Sequence, residues 1–190
     1  MSPGIVERSP VKSSWLLFKQ SLADTIKANV QEVAELFELY RSPLFRYLSS
    51  LGLAQHDAEE IIQDVFLALF RHLKAGKPRD NLRGWVFRCG HNLALRFRSR
   101  GRLTGYDERV LHLRVHPDPN PEQLAVARQQ QDRLSAVYRA LPERERACLA
   151  LRAEGFRYRE IAEIQGMSLG AVANALARAL GKLTKVEAAL

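Results

Sequence analysis

The sequence is short of the residues that build disulfide frameworks and metal centres. Its two cysteines, Cys89 and Cys148, are far apart and belong to no CxxC or zinc-type pattern. We therefore expect buried, inert thiols in a reducing compartment, the cytoplasm. Of the five histidines, only His112 and His116 have the spacing of two ligands on one helix face. They have no HExxH frame and no evident third ligand, so we expect no metal site.

Long apolar runs and catalytic motifs are also missing. No run approaches the ~20 residues of a membrane span. The amino-terminal segment has one short apolar patch, WLLF, without a cleavage-site pattern, which argues against a signal peptide. There is no GxSxG motif, no phosphate-binding glycine loop and no evident carboxylate pair. We expect no enzymatic activity, no cofactor and no small-molecule substrate.

Acidic residues are scarce in one stretch, where Asp80 is the only acid between Arg71 and Arg102. The net charge of the chain is +8 and its pI is about 9.9. This balance favours nucleic acid as a partner, ahead of a membrane surface, because each cation can neutralise a phosphate. Aromatic residues lie among the cations and can either stack on bases or pack in the core, and we favour the core. The cations are Arg71, Lys74, Lys77, Arg79, Arg83, Arg88, Arg96, Arg98, Arg100 and Arg102, and the aromatics are Trp85, Phe87 and Phe97.

Strand patterns are absent, whereas apolar residues recur at three-and-four spacing along most of the chain. We predict an all-α protein with two small helical domains joined by a flexible linker. The first domain spans 21–103 after a loose tail over 1–20, and the second spans 121–190 after a Pro-rich linker over 104–120.

Turn residues set the expected helix bounds. In the first domain we predict helices from about Ser21, from Asp57 as N-cap to Leu73, and from Leu82 to about Arg100. Pro43 is expected to bend or break the first of these. In the second domain, Pro121 and Pro142 each open a helix, and two further helices meet at Gly166.

The last two helices carry the pattern of a helix-turn-helix. Ala162 permits close packing, Gly166 permits a left-handed turn, Ser168 caps the second helix, and Val172 anchors it. This combination favours DNA binding over an ordinary helical hairpin, although Gln165 stands where an apolar residue is expected. The second helix is poorly supplied with donors, since Ala171, Ala173, Asn174 and Ala175 come before its first cation, Arg178.

An acidic face is predicted on the second helix, where Asp57, Glu60 and Asp64 lie away from the apolar stripe. By itself this pattern indicates no more than a capped and soluble helix face.

In combination, these segments resemble a bacterial RNA polymerase sigma factor of the extracytoplasmic-function (ECF) group. The first domain of that group is similar to LYRSPLFRYLSSLG, DAEEIIQDVFLALFRHL and NLRGWVFRCGHNLALRFRSR. The second is similar to LPERERACLALRAEGFRYREIAEIQGMSLGAVANALARALGKL. The blocks cover about 33–103 and 121–183, in the expected order and with a linker between them.

The resemblance implies roles for particular residues. The acidic helix would dock on the clamp helices of the polymerase's largest subunit, through Asp57, Glu60, Gln63, Asp64 and Phe66. The loop 77–82 and the following helix would open the promoter and capture the non-template strand, and the terminal helix would read the more distant promoter element. The DNA-binding residues would be Lys77, Arg79, Asn81, Arg83, Arg88, Asn92, Arg96, Ser168, Ala173, Asn174, Arg178 and Lys182.

The implied partners are core RNA polymerase, promoter DNA as duplex and melted non-template strand, and, as in many members of the group, an anti-sigma factor. Two other functions remain open: a stand-alone helix-turn-helix regulator that binds duplex DNA as a dimer, and a degenerate sigma-like module that only binds proteins. The sparse donors of the terminal helix suit a protein that polymerase tethers to DNA, because tethering raises the effective concentration of a weak reader.

Overall fold

The structure is a computed structural model that describes the backbone of residues 10–100 and 121–187, and the side chains of 19–100 and 130–185. The described residues form helices and no strand, as the periodicity predicts. The helices are α1 (Pro10–Ser50), α2 (Gln55–Lys74), α3 (Leu82–Ser99), α4 (Pro121–Ala140), α5 (Glu143–Ala153), α6 (Tyr158–Gln165) and α7 (Leu169–Glu187). None of the described helices is long and apolar enough to cross a membrane.

Helices α1, α2 and α3 pack together through their apolar stripes. The carboxyl-terminal part of α1 supplies Leu44, Tyr47 and Leu48, all fully buried, against Val65 and Leu69 of α2. Helix α3 approaches α1 closely at Gly90, where a Cβ atom would lie 2.9 Å from Leu44 Cδ1. The cations of α2, α3 and the loop between them are therefore held by a well-packed unit of three helices.

Two predicted helix starts in this unit are wrong, and the helix does not break at Pro43. Helix α1 begins at Pro10 rather than near Ser21, and it continues through Pro43 as one helix. The carbonyl that loses its helical donor at Pro43 belongs to Leu39, an exposed residue. Helix α2 begins at Gln55 after Ala54, which places Asp57 in the first turn rather than at the N-cap.

Helices α5, α6 and α7 form the second unit, with α4 packed against α7. Gly166 ends α6 with φ of 64°, the left-handed turn that the sequence predicts. The Ser168 hydroxyl accepts a hydrogen bond from the Ala171 amide at 3.2 Å, and Val172 and Leu176 are buried. These observations confirm the predicted helix-turn-helix.

The two units share one continuous core across a seam that no sequence pattern predicts. Phe87 of α3 and Phe156, just after α5, are both fully buried and meet edge to face with ring centroids 4.7 Å apart. At the rim, the Arg46 guanidinium donates to both carboxylate oxygens of Glu154, at 2.7 and 2.9 Å. The predicted core position is therefore confirmed for Phe87, while Trp85 and Phe97 are half-buried and pack against the core.

Candidate functional site

The acidic face of α2 is exposed. Glu60, Gln63 and Asp64 point to solvent, and Asp57 is half-buried in the first turn. Leu67 continues this face and leaves 48% of its surface exposed. An exposed leucine beside carboxylates gives α2 both an apolar contact and a negative field, which together suit a basic protein surface.

Phe66 lies apart from that face. Its side chain is 5% exposed and packs edge to face on Phe37 of α1, with ring centroids 5.0 Å apart. Phe66 therefore holds α2 against α1, and the acidic residues sit on the opposite side of the same helix.

The loop before α3 has a specific backbone conformation. Asn81 adopts φ of 51°, and its side-chain oxygen accepts a hydrogen bond from the Gly84 amide at 3.0 Å. A Cβ atom at position 84 would lie 2.5 Å from the Asn81 side-chain nitrogen, so this cap needs glycine there. The cap fixes where the loop ends and where the exposed face of α3 begins.

That exposed face carries three of the predicted DNA-binding residues at a spacing of four. Arg88, Asn92 and Arg96 are all exposed and follow one another along one side of α3. Arg88 also lines a small cleft together with Asn81, Gly84, Glu160 and Glu163. Two guanidinium groups flanking an amide form a continuous polar strip that can bind phosphates and base edges.

Two other predicted DNA-binding cations are engaged within the protein. Arg79 donates to the Glu32 carboxylate and, at 2.8 Å, to Asn29 of α1. The Arg83 guanidinium donates to the Glu154 carbonyl and lies 4.0 Å from the centre of the Phe156 ring. In this arrangement, Arg83 joins the first unit to the second. Lys77, in the loop before α3, is exposed.

The terminal helix α7 presents a small and largely apolar outer face. Asn174 is exposed and Ala173 is half-buried, while Ala175 is 1% exposed and belongs to the core. Ala175 is therefore not part of the reading face on which the sequence places it. Leu169 and Leu180 are 55% and 47% exposed on the same helix, so its outer surface offers few hydrogen-bond donors.

The two cations of α7 predicted to hold phosphates both bind Glu145 of α5. Arg178 Nε lies 2.8 Å from Oε1 of that carboxylate, and Lys182 Nζ lies 2.8 Å from Oε2. The Glu145 side chain is only 6% exposed. Hydrogen bonds from Lys182 and Arg178 hold the pKa of Glu145 below its ordinary value. No sequence pattern predicts this contact, because Glu145 is one acid among many charges in PERERA and only the packing of α5 on α7 brings it to the cations.

The cysteines and Gln165 are part of the packing. Cys148 is buried, as the sequence predicts, whereas Cys89 is half-buried, and burial raises the pKa of both thiols. The Cys148 thiol lies 3.7 Å from Gln165 Oε1, whereas Gln165 Nε2 has no partner among the described residues. No cluster of metal-ligating side chains is found within the described residues, and His112 and His116 lie outside them.

Two family models match the chain in order. The model described as "Sigma-70 region 2" matches residues 36–104, and the model described as "Sigma-70, region 4" matches residues 131–183. The first covers α2, α3 and the packed part of α1, and the second covers the helix-turn-helix.

Curated relatives carry the same pair of regions over most of the chain. An ECF RNA polymerase sigma factor, SigE of Mycolicibacterium smegmatis, is 32% identical over 148 residues, which are 76% of this chain and 57% of that protein. RNA polymerase sigma factor CnrH of Cupriavidus metallidurans is 27% identical over 171 residues, 85% of this chain and 90% of that protein. The chain thus spans little more than half of the first relative and most of the second.

Solved structures confirm the fold. CnrH in complex with the cytosolic domain of CnrY matches with a TM-score of 0.59 and 24% identity, over 88% of this chain and 95% of that chain. The sigma factor RpoE in complex with the anti-sigma factor NepR from Bartonella quintana matches with a TM-score of 0.58 and 22% identity, over 82% and 96%.

Proposed function

Because this chain belongs to the ECF group of RNA polymerase sigma factors, with sigma-70 regions 2 and 4, we propose that it binds core RNA polymerase and directs initiation at particular promoters. The observation that carries this proposal is that the two regions occur in order in one chain. The first region contains the acidic helix α2 and the cationic helix α3, and the second contains the helix-turn-helix. Such a factor acts with polymerase on the chromosome, in the cytoplasm. It needs no catalytic residue, cofactor or small-molecule substrate of its own.

The proposed polymerase contact is the exposed face of α2. Asp57, Glu60, Gln63 and Asp64 supply negative charge and hydrogen-bond acceptors, and Leu67 adds an apolar contact at the end of the row. Phe66 lies on the opposite side of α2, where it packs on Phe37 and holds α2 against α1. Charge on such a surface steers association and selects a basic partner.

The proposed strand contact is the exposed face of α3 with the loop before it. Arg88 and Arg96 can hold phosphates of the separated strand on either side of Asn92, whose amide can pair with a base edge. Lys77 and Asn81 extend this surface at the amino end of α3. Arg79 and Arg83 would join it only by leaving their contacts with Glu32 and Glu154. Binding drives the opening of the promoter, because contacts to a base captured outside the DNA stack offset the cost of unpairing that base.

The proposed duplex contact is the amino end of α7. The amino end of α7 can attract a phosphate through its helix dipole, Asn174 can make a paired contact to adenine, and Ala173 can touch a thymine methyl. Arg178 and Lys182 lie farther along the same helix. Because polymerase tethers both regions, this weak reader acts at a high effective concentration.

The structural relatives also favour an anti-sigma factor as a further partner. The Bartonella quintana relative is described in complex with one. We propose that a protein of this kind binds the present chain and competes with polymerase for it.

A charge reversal on α2 tests the proposal. Asp64→Arg should weaken binding to core polymerase from the organism that encodes the chain, by about tenfold or more, because it removes an attraction and adds a repulsion. Glu59→Arg is the matched control, since Glu59 is also exposed on α2 but lies about 140° around the helix axis from Asp64. Titration of a fluorescent chain with core enzyme gives both affinities. Equal affinity of Asp64→Arg and the wild type would contradict the docking assignment, and no binding by the wild type would contradict the function.

A further inference from the structure

A buried carboxylate sits against the two cations nearest the middle of the terminal helix. Glu145 lies in the first turn of α5, with its side chain 6% exposed, and each of its oxygens accepts a hydrogen bond from α7. Its partners remain accessible, since the side chains of Arg178 and Lys182 are 60% and 47% exposed. The acid is therefore inside the fold and the bases are at its surface.

These two cations make up most of the positive charge of α7. The helix contains Arg178, Lys182 and, in its last turn, Lys185. Two cations bound to one carboxylate leave a net charge of +1 at the position where the sequence alone suggests +2. Helix α7 thus approaches DNA with less positive charge than its sequence indicates.

Competition with DNA favours the carboxylate. Glu145 is shielded from water and fixed at contact distance, whereas a DNA phosphate is solvated and surrounded by mobile counterions. Releasing both cations would break two charge-assisted hydrogen bonds of 2.8 Å to one carboxylate. This geometry favours the contacts with Glu145 over contacts with a duplex.

We propose that Glu145 acts as an internal substitute for a DNA phosphate, holding Arg178 and Lys182 and thereby setting the duplex affinity of the second region low. This inference rests on the proposed function, because weak binding of the second region to duplex DNA is useful only to a protein that polymerase tethers. It assigns Glu145 a role in tuning affinity and leaves base recognition to Ser168, Ala173 and Asn174.

The test removes the charge of Glu145 and keeps its shape. The full chain is titrated alone into a short fluorescein-labelled duplex of arbitrary sequence, and anisotropy is recorded between about 50 and 200 mM salt. Glu145→Gln should bind more tightly and steepen the salt dependence by about 0.9 for each cation released. Across that salt range, the affinity of the variant should change about three- to twelvefold more than that of the wild type.

Glu59→Gln is the matched control. Glu59 is exposed on α2 and accepts a hydrogen bond from the Gln55 side chain rather than from a cation. Its neutralisation changes the net charge equally, so a general effect of charge would appear in both variants. If Glu145→Gln behaves like Glu59→Gln, or binds more weakly than the wild type, the proposal is wrong.

A second substitution covers the case in which Glu145→Gln does not fold, as judged by circular dichroism. Arg178→Gln in the wild-type background should leave the salt dependence nearly unchanged, because Arg178 is held by Glu145 and so contacts no DNA phosphate. A slope that falls by about 0.9 would mean that Arg178 contacts a phosphate in the wild type, and would overturn the proposal. Neither measurement uses polymerase, so its outcome is separate from that of the polymerase-binding test.

Discussion

His91 and Tyr47 form a buried polar pair in the middle of the first unit. The Tyr47 hydroxyl lies 2.8 Å from His91 Nδ1, with Tyr47 fully buried and His91 8% exposed. Burial lowers the pKa of His91, with a smaller opposing effect from Glu143, and burial raises the pKa of Tyr47. Both groups are therefore neutral in the folded protein at neutral pH.

This pair predicts that the protein loses stability on mild acidification. The pKa of His91 is lower in the fold than its ordinary value of 6.5, so below that pH the unfolded chain takes up a proton that the folded chain resists. The contribution of neutral His91 is complete above about pH 6.5 and is lost as the pH falls through the lower, folded value. Thermal unfolding at about pH 7.5 and about pH 5.5 measures this, and His91→Gln should reduce the difference in Tm. An equal difference in the two proteins would show that another group titrates.

At the scale of the element, two helical glycines occupy opposite environments. A Cβ atom at Gly90 of α3 would lie 2.9 Å from Leu44 Cδ1, and Leu44 is fully buried. A Cβ atom at Gly181 of α7 would meet nothing within 4 Å. One glycine allows two helices to approach closely, and the other only weakens its own helix.

We therefore expect the same substitution to have opposite effects. Gly181→Ala should stabilise the protein by about 0.5–1 kcal/mol, because alanine restricts the unfolded chain and favours the helix. Gly90→Ala should destabilise it by about 1–2 kcal/mol, since overpacking outweighs that gain. Urea unfolding compares the two free energies of unfolding, and a stabilising Gly90→Ala would mean that α3 is not held against α1 as described.

Local patterns predicted the elements well. Proline positions predicted the starts of α4 and α5, and the Gly166 turn and Ser168 cap follow from residue type alone. The start of α1 was missed because Pro10 suits the first turn of a helix as well as it suits a loose tail. The start of α2 was missed because aspartate is favourable both at an N-cap and one turn later.

At the scale of the whole molecule, the candidate site depends on contacts between distant segments, which periodicity cannot predict. The contacts of Arg79 with Asn29, Arg83 with Phe156, and Arg178 with Glu145 join residues far apart in sequence. The sequence indicated an excess of cations but did not indicate which of them the fold itself uses. In the described structure, Arg88, Asn92 and Arg96 remain exposed as a continuous strip, while the half-buried Arg83 contacts Glu154 of the second unit.

We propose above all that this chain directs core polymerase to particular promoters. The most direct measurement is sequencing of the 5′ ends of transcripts made on genomic DNA by core RNA polymerase from the encoding organism, with and without the purified chain. We expect discrete start sites that require the chain and share upstream sequence elements. Identical transcripts in the two reactions, under conditions in which the chain is folded, would contradict it.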